Sequence, residues 1–144
     1  MEEAGISLTT SILMQTNKKN PVELPSLVLA YVGDAVYELA IRNYLVSQGF
    51  VKVNKLHREA VKYVRAKGQA QALFALEGKL SEEEAAVVRR GRNTKSATIP
   101  KNADIVEYRH ATAFEALVGY LHLQGNHQRV AEIIELSIRS IDHG

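Results

Sequence analysis

Between residues 27 and 42 every position is apolar or glycine except Asp34, Glu38 and Arg42. These three recur every four residues, so they line one edge of a helix whose remaining surface is expected to be buried all round. Pro25 and Ser26 open that helix, and it should end near Gly49. A second run of the same character covers residues 104–123, where Tyr108, Thr112, Glu115, Gly119 and His122 mark one edge at spacings of four, three, four and three. Beyond Gly125 and Asn126, the positions Val130, Ile133, Ile134, Ile138 and Ile141 predict an amphipathic last helix. In the middle of the chain, Asn54 is placed to cap one helix running to about Leu76, with Gly68 inside it. An interior glycine costs ~1 kcal/mol relative to alanine, so Gly68 marks a close helix crossing or the approach of a ligand. Ser81 and Glu84 form a capping box for a short helix that should stop at Gly91. No alternating stretch is long enough to specify a strand, and no repeat is present. The pattern predicts an all-α helical bundle, a single domain over 24–144 preceded by a flexible polar arm over 1–23.

Two of the acids are out of place in such a bundle. A carboxylate in an apolar segment is costly unless a cation, a metal or a hydrogen-bonding partner meets it. Glu38 has an ordinary explanation in an i,i+4 pair with Arg42 at the surface. Asp34 lies a full turn further into the apolar stretch and lacks one. Glu115 is the counterpart, set between Phe114 and Ala116 with Leu117 and Val118 following. Each acid alone would serve as a member of a structural ion pair. Together, on two apolar helices, they can converge on one hard divalent cation, and oxygen-only ligation of that kind suits Mg2+.

Composition narrows the chemistry. The 144 residues contain no cysteine and no tryptophan, which excludes disulfides, thiolate metal sites and a cysteine nucleophile. His57, His110, His122, His127 and His143 form no i,i+4 pair and no HExxH motif, so a zinc site is not expected. The run Glu82–Glu83–Glu84 opens a helix and is explained by the helix dipole. A Mg2+-dependent nucleotide pyrophosphohydrolase would need paired acidic motifs on facing helices that this chain lacks. Neither a basic-then-apolar leader nor a membrane-length apolar run is present, so a soluble cytoplasmic protein is expected.

The net charge is only +2, but 11 of the 18 basic residues fall in two short segments. Residues 52–67 carry Lys52, Lys55, Arg58, Lys62, Arg65 and Lys67 against the single acid Glu59. Residues 89–101 carry Arg89, Arg90, Arg92, Lys95 and Lys101 against none. Such concentration is the footprint of a polyanion partner, although a solvated helix face would explain the first segment equally well. In the second, Gly91, Asn93, Thr94 and Ser96 predict a loop whose N–H and hydroxyl groups meet phosphate oxygens beside the arginines.

At this point the residues carry a resemblance. Tyr31-Val32-Gly33-Asp34-Ala35-Val36 resembles the signature of the ribonuclease III catalytic domain, and Phe114-Glu115-Ala116-Leu117-Val118-Gly119 its second acidic motif. The basic segments stand between them where that family has its second helix and its glycine-containing loop. The likeness spans about 26–142, and no stretch long enough for a double-stranded-RNA-binding domain follows it. It therefore points to the Mini-ribonuclease III subgroup, which consists of the catalytic domain alone. The resemblance implies a ribonuclease III-like helical fold and a homodimer that uses Mg2+ to cut double-stranded RNA, namely precursor 23S ribosomal RNA near its ends. It implies Asp34 and Glu115 as catalytic metal ligands. Thr112, on the same helix face, is placed to orient a water at the cation, and Lys67, Arg90, Arg92, Asn93 and Lys95 to grip RNA. Two acids of the family's four-acid cluster are replaced, by Ala30 and Thr112, so the metal should bind more weakly and keep more of its water. A domain that binds RNA or the ribosome without cutting is the alternative.

Overall fold

Residues 20–95 and 99–144 are described by the computed structural model of the chain. The expected N-terminal arm lies outside them as far as residue 19, and so do Ser96, Ala97 and Thr98 of the second basic segment. Among the described residues there are six α-helices and no strand: α1 (Ser26–Ser47), α2 (Val53–Val64), α3 (Ala66–Ala75), α4 (Glu82–Asn93), α5 (Ile105–Leu123) and α6 (His127–His143). A 3-10 turn at Pro21–Glu23 precedes them, capped by the Asn20 side chain, which accepts from the Val22 N–H at 3.1 Å.

α5 is the axis of the bundle. From Ala113 to Leu121 all its residues but Glu115 are buried, because α1, α3, α4 and α6 pack around it. The all-round burial expected of the first apolar helix therefore belongs to α5 and not to α1. In α1 a single stripe, Leu29, Ala30, Gly33, Tyr37, Ile41 and Leu45, faces the core, with Tyr37 edge-on to Phe114 at 5.0 Å between ring centroids. The opposite side of α1 leaves Tyr31 81% exposed and Leu39 61% exposed. Apolar composition measured how many faces a helix could bury, not how many neighbours it has.

The single helix expected from Asn54 to Leu76 is two helices. Lys52, not Asn54, is the residue before the first turn, and the backbone breaks at Arg65, which is extended with ψ of 160°. Gly68 makes the break possible. A Cβ there would lie 2.2 Å from the Lys62 carbonyl oxygen, so the close approach foreseen at Gly68 comes from the end of α2 itself. Likewise α4 does not stop at Gly91. The Ser81–Glu84 capping box forms as predicted, but the helix runs on to Asn93, and Gly91 is packed so tightly that a Cβ would meet the Ala113 Cα at 2.9 Å. Arg92 and Asn93, the first residues of the expected basic loop, are thus the last turn of α4.

Two polar clamps tie the last helix down. Glu84 is buried and accepts from Arg129 through both oxygens at 2.9 Å, while Arg129 also reaches the Lys79 carbonyl at 2.8 Å. The Arg129 hydrogen bonds hold the Glu84 carboxyl below its ordinary range. Glu84 does stand in the first turn of its helix, as expected, but its carboxylate also joins α4 to α6. At the far end, Asp142 accepts from the hydroxyls of Tyr44, at 2.9 Å, and of Tyr63, which fastens α6 to α1 and α2.

Candidate active site

α1 and α5 cross with their main chains in contact. A Cβ on Gly33 would sit 1.8 Å from the Glu115 carbonyl oxygen, and one on Gly119 would sit 1.9 Å from that of Leu29. Nothing larger than glycine fits at either position, and the contact sets Asp34, the residue after Gly33, beside Glu115. The convergence expected of the two acids is present, with one difference. Asp34 is exposed, so the desolvation expected for it falls on the half-buried Glu115 instead. Burial pushes the Glu115 carboxyl up. A hydrogen bond from Gln69 opposes that, the Asp34 carboxylate adds to it through its charge and its hydrogen-bonding contact, and Glu38 adds a lesser amount. The result is a carboxyl raised from 4.5 to about 8. Glu38 itself pairs with Arg42 at 3.3 Å on the surface, as expected of an i,i+4 pair.

Gln69 is the residue that sequence reasoning missed. It is only 2% exposed, and its Nε2 donates to the Glu115 Oε2 at 3.1 Å and to the Val64 carbonyl at 3.0 Å. Both neighbours are acceptors, which fixes the orientation of the amide. Its Oε1 is buried with no hydrogen-bond partner among the described residues. An alternation of alanine and glutamine over 69–72 carries no signal that would single out the first of them.

These groups fit a hard divalent cation. Two adjacent carboxyls, one of them held protonated near neutral pH by its surroundings, favour exchanging that proton for a cation. The donors are all oxygen. Among the described residues no group of three or more acids, cysteines and histidines is placed to hold a metal. Ala30 is buried in the core. The Thr112 hydroxyl donates to the Tyr108 carbonyl at 3.0 Å, one turn before Glu115.

The basic residues of the two segments are mostly at the surface. Lys52, Lys55, Arg58, Lys62, Arg65 and Lys67 are all exposed, along α2 and at the start of α3. Arg90 and Asn93 line a cleft with Arg89, Pro25 and Ser26. A second cleft of about 210 Å³ brings Lys95, Arg109, Tyr108 and Thr112 together. Arg92 is half-buried and borders neither cleft. A groove of about 720 Å³ runs between α1 and α6 past Leu39, Val130 and Ile134, and it includes neither acid. An open carboxylate pair, on a chain whose basic residues are largely exposed, suits an extended polyanion laid across the surface better than an enclosed small molecule.

The chain is similar to known proteins along most of its length. The Ribonuclease III domain family matches residues 27–126. Mini-ribonuclease 3 of Brevibacillus brevis is 53% identical over 116 residues, 81% of this chain and 87% of that protein. The Mini-ribonuclease 3 of Symbiobacterium thermophilum is 50% identical, covering 87% of this chain and 96% of its own, and that of Staphylococcus aureus is 39% identical over 90% and 98%. A crystal structure of a protein from Fusobacterium nucleatum superposes with a TM-score of 0.75 at 31% identity, covering 85% of this chain and 98% of that one.

Proposed function

The chain belongs to the ribonuclease III family, and from that premise we propose that this double-stranded-RNA endoribonuclease is Mg2+-dependent, homodimeric and cytoplasmic, and that it trims precursor 23S ribosomal RNA near its ends. The observation that carries the reading is the Asp34–Glu115 pair, set side by side by the Gly33–Gly119 crossing.

Asp34 and Glu115 would hold the cation, which supplies Lewis acidity to the scissile phosphate and to the attacking water. Asp34, on the solvent side, meets the incoming strand. Glu115, half-buried, is kept in place by Gln69. Thr112 presents its hydroxyl oxygen on the same edge of α5, where it can accept from a water. Lys67, Arg90, Arg92, Asn93 and Lys95 bind backbone phosphates and position the duplex. A-form RNA is read by shape, phosphates and 2′-hydroxyls, so this composition gives little dependence on base sequence.

Cutting both strands requires two such sites related by a twofold axis. The row of exposed apolar side chains on α1, Leu27, Val28, Tyr31, Leu39 and Val46, supports α1 as the interface. No helix among the described residues is long and apolar enough to cross a membrane.

Incubation with long duplex RNA, with Mg2+ or with EDTA, tests the activity. Wild type should cut only with the metal. Asp34→Asn should lose at least about a hundredfold in rate, while Glu38→Gln keeps most activity. A wild-type protein that binds the duplex and leaves it uncut at every Mg2+ or Mn2+ concentration would establish the non-catalytic RNA-binding alternative. The precursor assignment is tested by comparing the paired ends of the 23S precursor with an unrelated duplex of equal length. Sedimentation of wild type against Tyr31→Asp tests the dimer.

A further inference from the structure

We infer that Gln69 is a positioning residue for the metal-binding pair, holding the Glu115 carboxylate in place by a hydrogen bond anchored to the end of α2. The inference rests on the assignment of Asp34 and Glu115 as the cation's ligands, and it adds a role for a residue on a different helix.

Three observations lead to it. First, Gln69 spends both donors of one buried amide on a fixed pair of acceptors, the Glu115 Oε2 at 3.1 Å and the Val64 carbonyl at 3.0 Å. The Val64 carbonyl is main chain at the last turn of α2, so one end of the bridge is rigid. The other end is the side chain that must be aimed. Second, the amide oxygen is left buried without a partner among the described residues. Buried polar atoms are nearly always satisfied, and an exception in a native fold marks a demand from elsewhere. A residue that only filled this space would be met as well by leucine or methionine, with no stranded acceptor. Third, the backbone is shaped to deliver the group. The break at Arg65 and the close pass of the Lys62 carbonyl over Gly68 turn the start of α3 inward, immediately before Gln69. Gly68 therefore serves the placement of its neighbour.

A carboxylate free to choose rotamers must be ordered each time a cation binds. One already held by a donor loses no such freedom, and outer partners of this kind typically govern about 10- to 100-fold in metal affinity. The same bridge joins Glu115 to the end of α2, the helix that carries Arg58 and Lys62 on its exposed side. Contact of that face with an RNA backbone and the aim of the metal ligand thus share one structural element.

The experiment is Mn2+ binding followed by electron paramagnetic resonance, on the full chain without RNA. The variants are Gln69→Met, which keeps length and shape but has no donor, and Gln69→Asn, which keeps the amide and is one methylene short. Each should weaken Mn2+ binding about tenfold or more, alter the spectrum of the bound ion, and lower kcat with little change in KM for duplex RNA. In a Glu115→Gln background the same changes at Gln69 should shift Mn2+ affinity by less than about twofold. Wild-type Mn2+ affinity in a folded Gln69→Met or Gln69→Asn protein overturns the inference. So does an equal loss with and without the Glu115 carboxylate, which would trace the effect to general packing. If Gln69→Met does not fold, Gln69→Asn decides alone. Asp34→Asn separates the two levels of the argument. If Asp34→Asn binds Mn2+ as wild type does, the ligand assignment fails and the role of Gln69 with it. If Asp34→Asn loses the ion and the Gln69 variants do not, only the role of Gln69 fails.

Discussion

Ionising Glu115 in the metal-free protein should destabilise the fold, so stability should fall as pH rises. Its carboxyl is raised from 4.5 to about 8, first by burial and then, against the Gln69 hydrogen bond, by Asp34. Between those two values the folded protein keeps a proton that the unfolded chain has released, so stability declines with rising pH across that window. Below pH 4.5 both states are protonated and the penalty is absent; above about pH 8 it is fully expressed. At about 1.36 kcal/mol per decade of pH, the ceiling is close to 5 kcal/mol. Solvent reaching the exposed Asp34 screens part of this and brings the expected loss to about 2–3 kcal/mol. Chemical denaturation in EDTA at pH 5.5 and pH 8.5 measures the loss for wild type and for Glu115→Gln. His122, held below its ordinary range by burial and then by His127, contributes with the opposite sign, so the quantity to read is the difference between the two proteins. Glu115→Gln should be the more stable at pH 8.5, by most of the expected loss, and the two should converge at low pH. Mg2+ should remove most of the wild-type deficit at pH 8.5 and do little for the variant. Equal pH dependence in the two proteins would refute the argument, because it would mean that Glu115 ionises as freely folded as unfolded.

Gly33→Ala places a methyl group where main chain already lies, 1.8 Å from the Glu115 carbonyl, and should cost more than about 3 kcal/mol, seen as a collapse of the denaturation midpoint or loss of folded protein. Arg90→Ala and Lys95→Ala should weaken duplex binding about equally for unrelated sequences and flatten the slope of log affinity against log salt, by roughly 0.9 per lost phosphate contact on the duplex-DNA scale; an unchanged slope would mark these cations as solvated surface. Thr112→Asp adds a carboxylate one turn from Glu115 and should lower the Mg2+ concentration needed for half-maximal cleavage; a higher requirement would show that position 112 does not face the cation.

The helices, the capping box at Ser81 and the two acids were legible because each leaves a local mark: a period, a cap, a charge among apolar neighbours. What escaped depends on contacts between distant positions. The break at Arg65 has no proline or glycine at the kink itself, and its cause sits three residues later in the space left by Gly68. Gly91 read as a helix stop because a glycine at a helix end and a glycine under a helix crossing look alike until Ala113 is known to lie against it. Asp34 read as buried because its neighbours are apolar, yet on the same helix Tyr31 and Leu39 are left exposed among the described residues. Arg129 gave no hint that it would find Glu84, which lies 45 residues away. Gln69 was invisible for the same reason: its meaning is the carboxylate opposite, 46 positions along the chain.

The meeting of Gly33 and Gly119 also bears on how this enzyme can change over time. Where two helices are spaced by interdigitating side chains, every substitution in the seam alters their separation. Here main chain rests on main chain, and the spacing of the two acids is set by atoms that no substitution outside the two glycines can enlarge. Substitutions at Phe114, Leu117 or Val118 can then alter the stability of the bundle while leaving Asp34 and Glu115 in register. Stability and catalytic geometry are to that extent separately heritable, and a thermostable variant with an altered core should keep the rate of its parent. The two glycines alone should tolerate almost nothing.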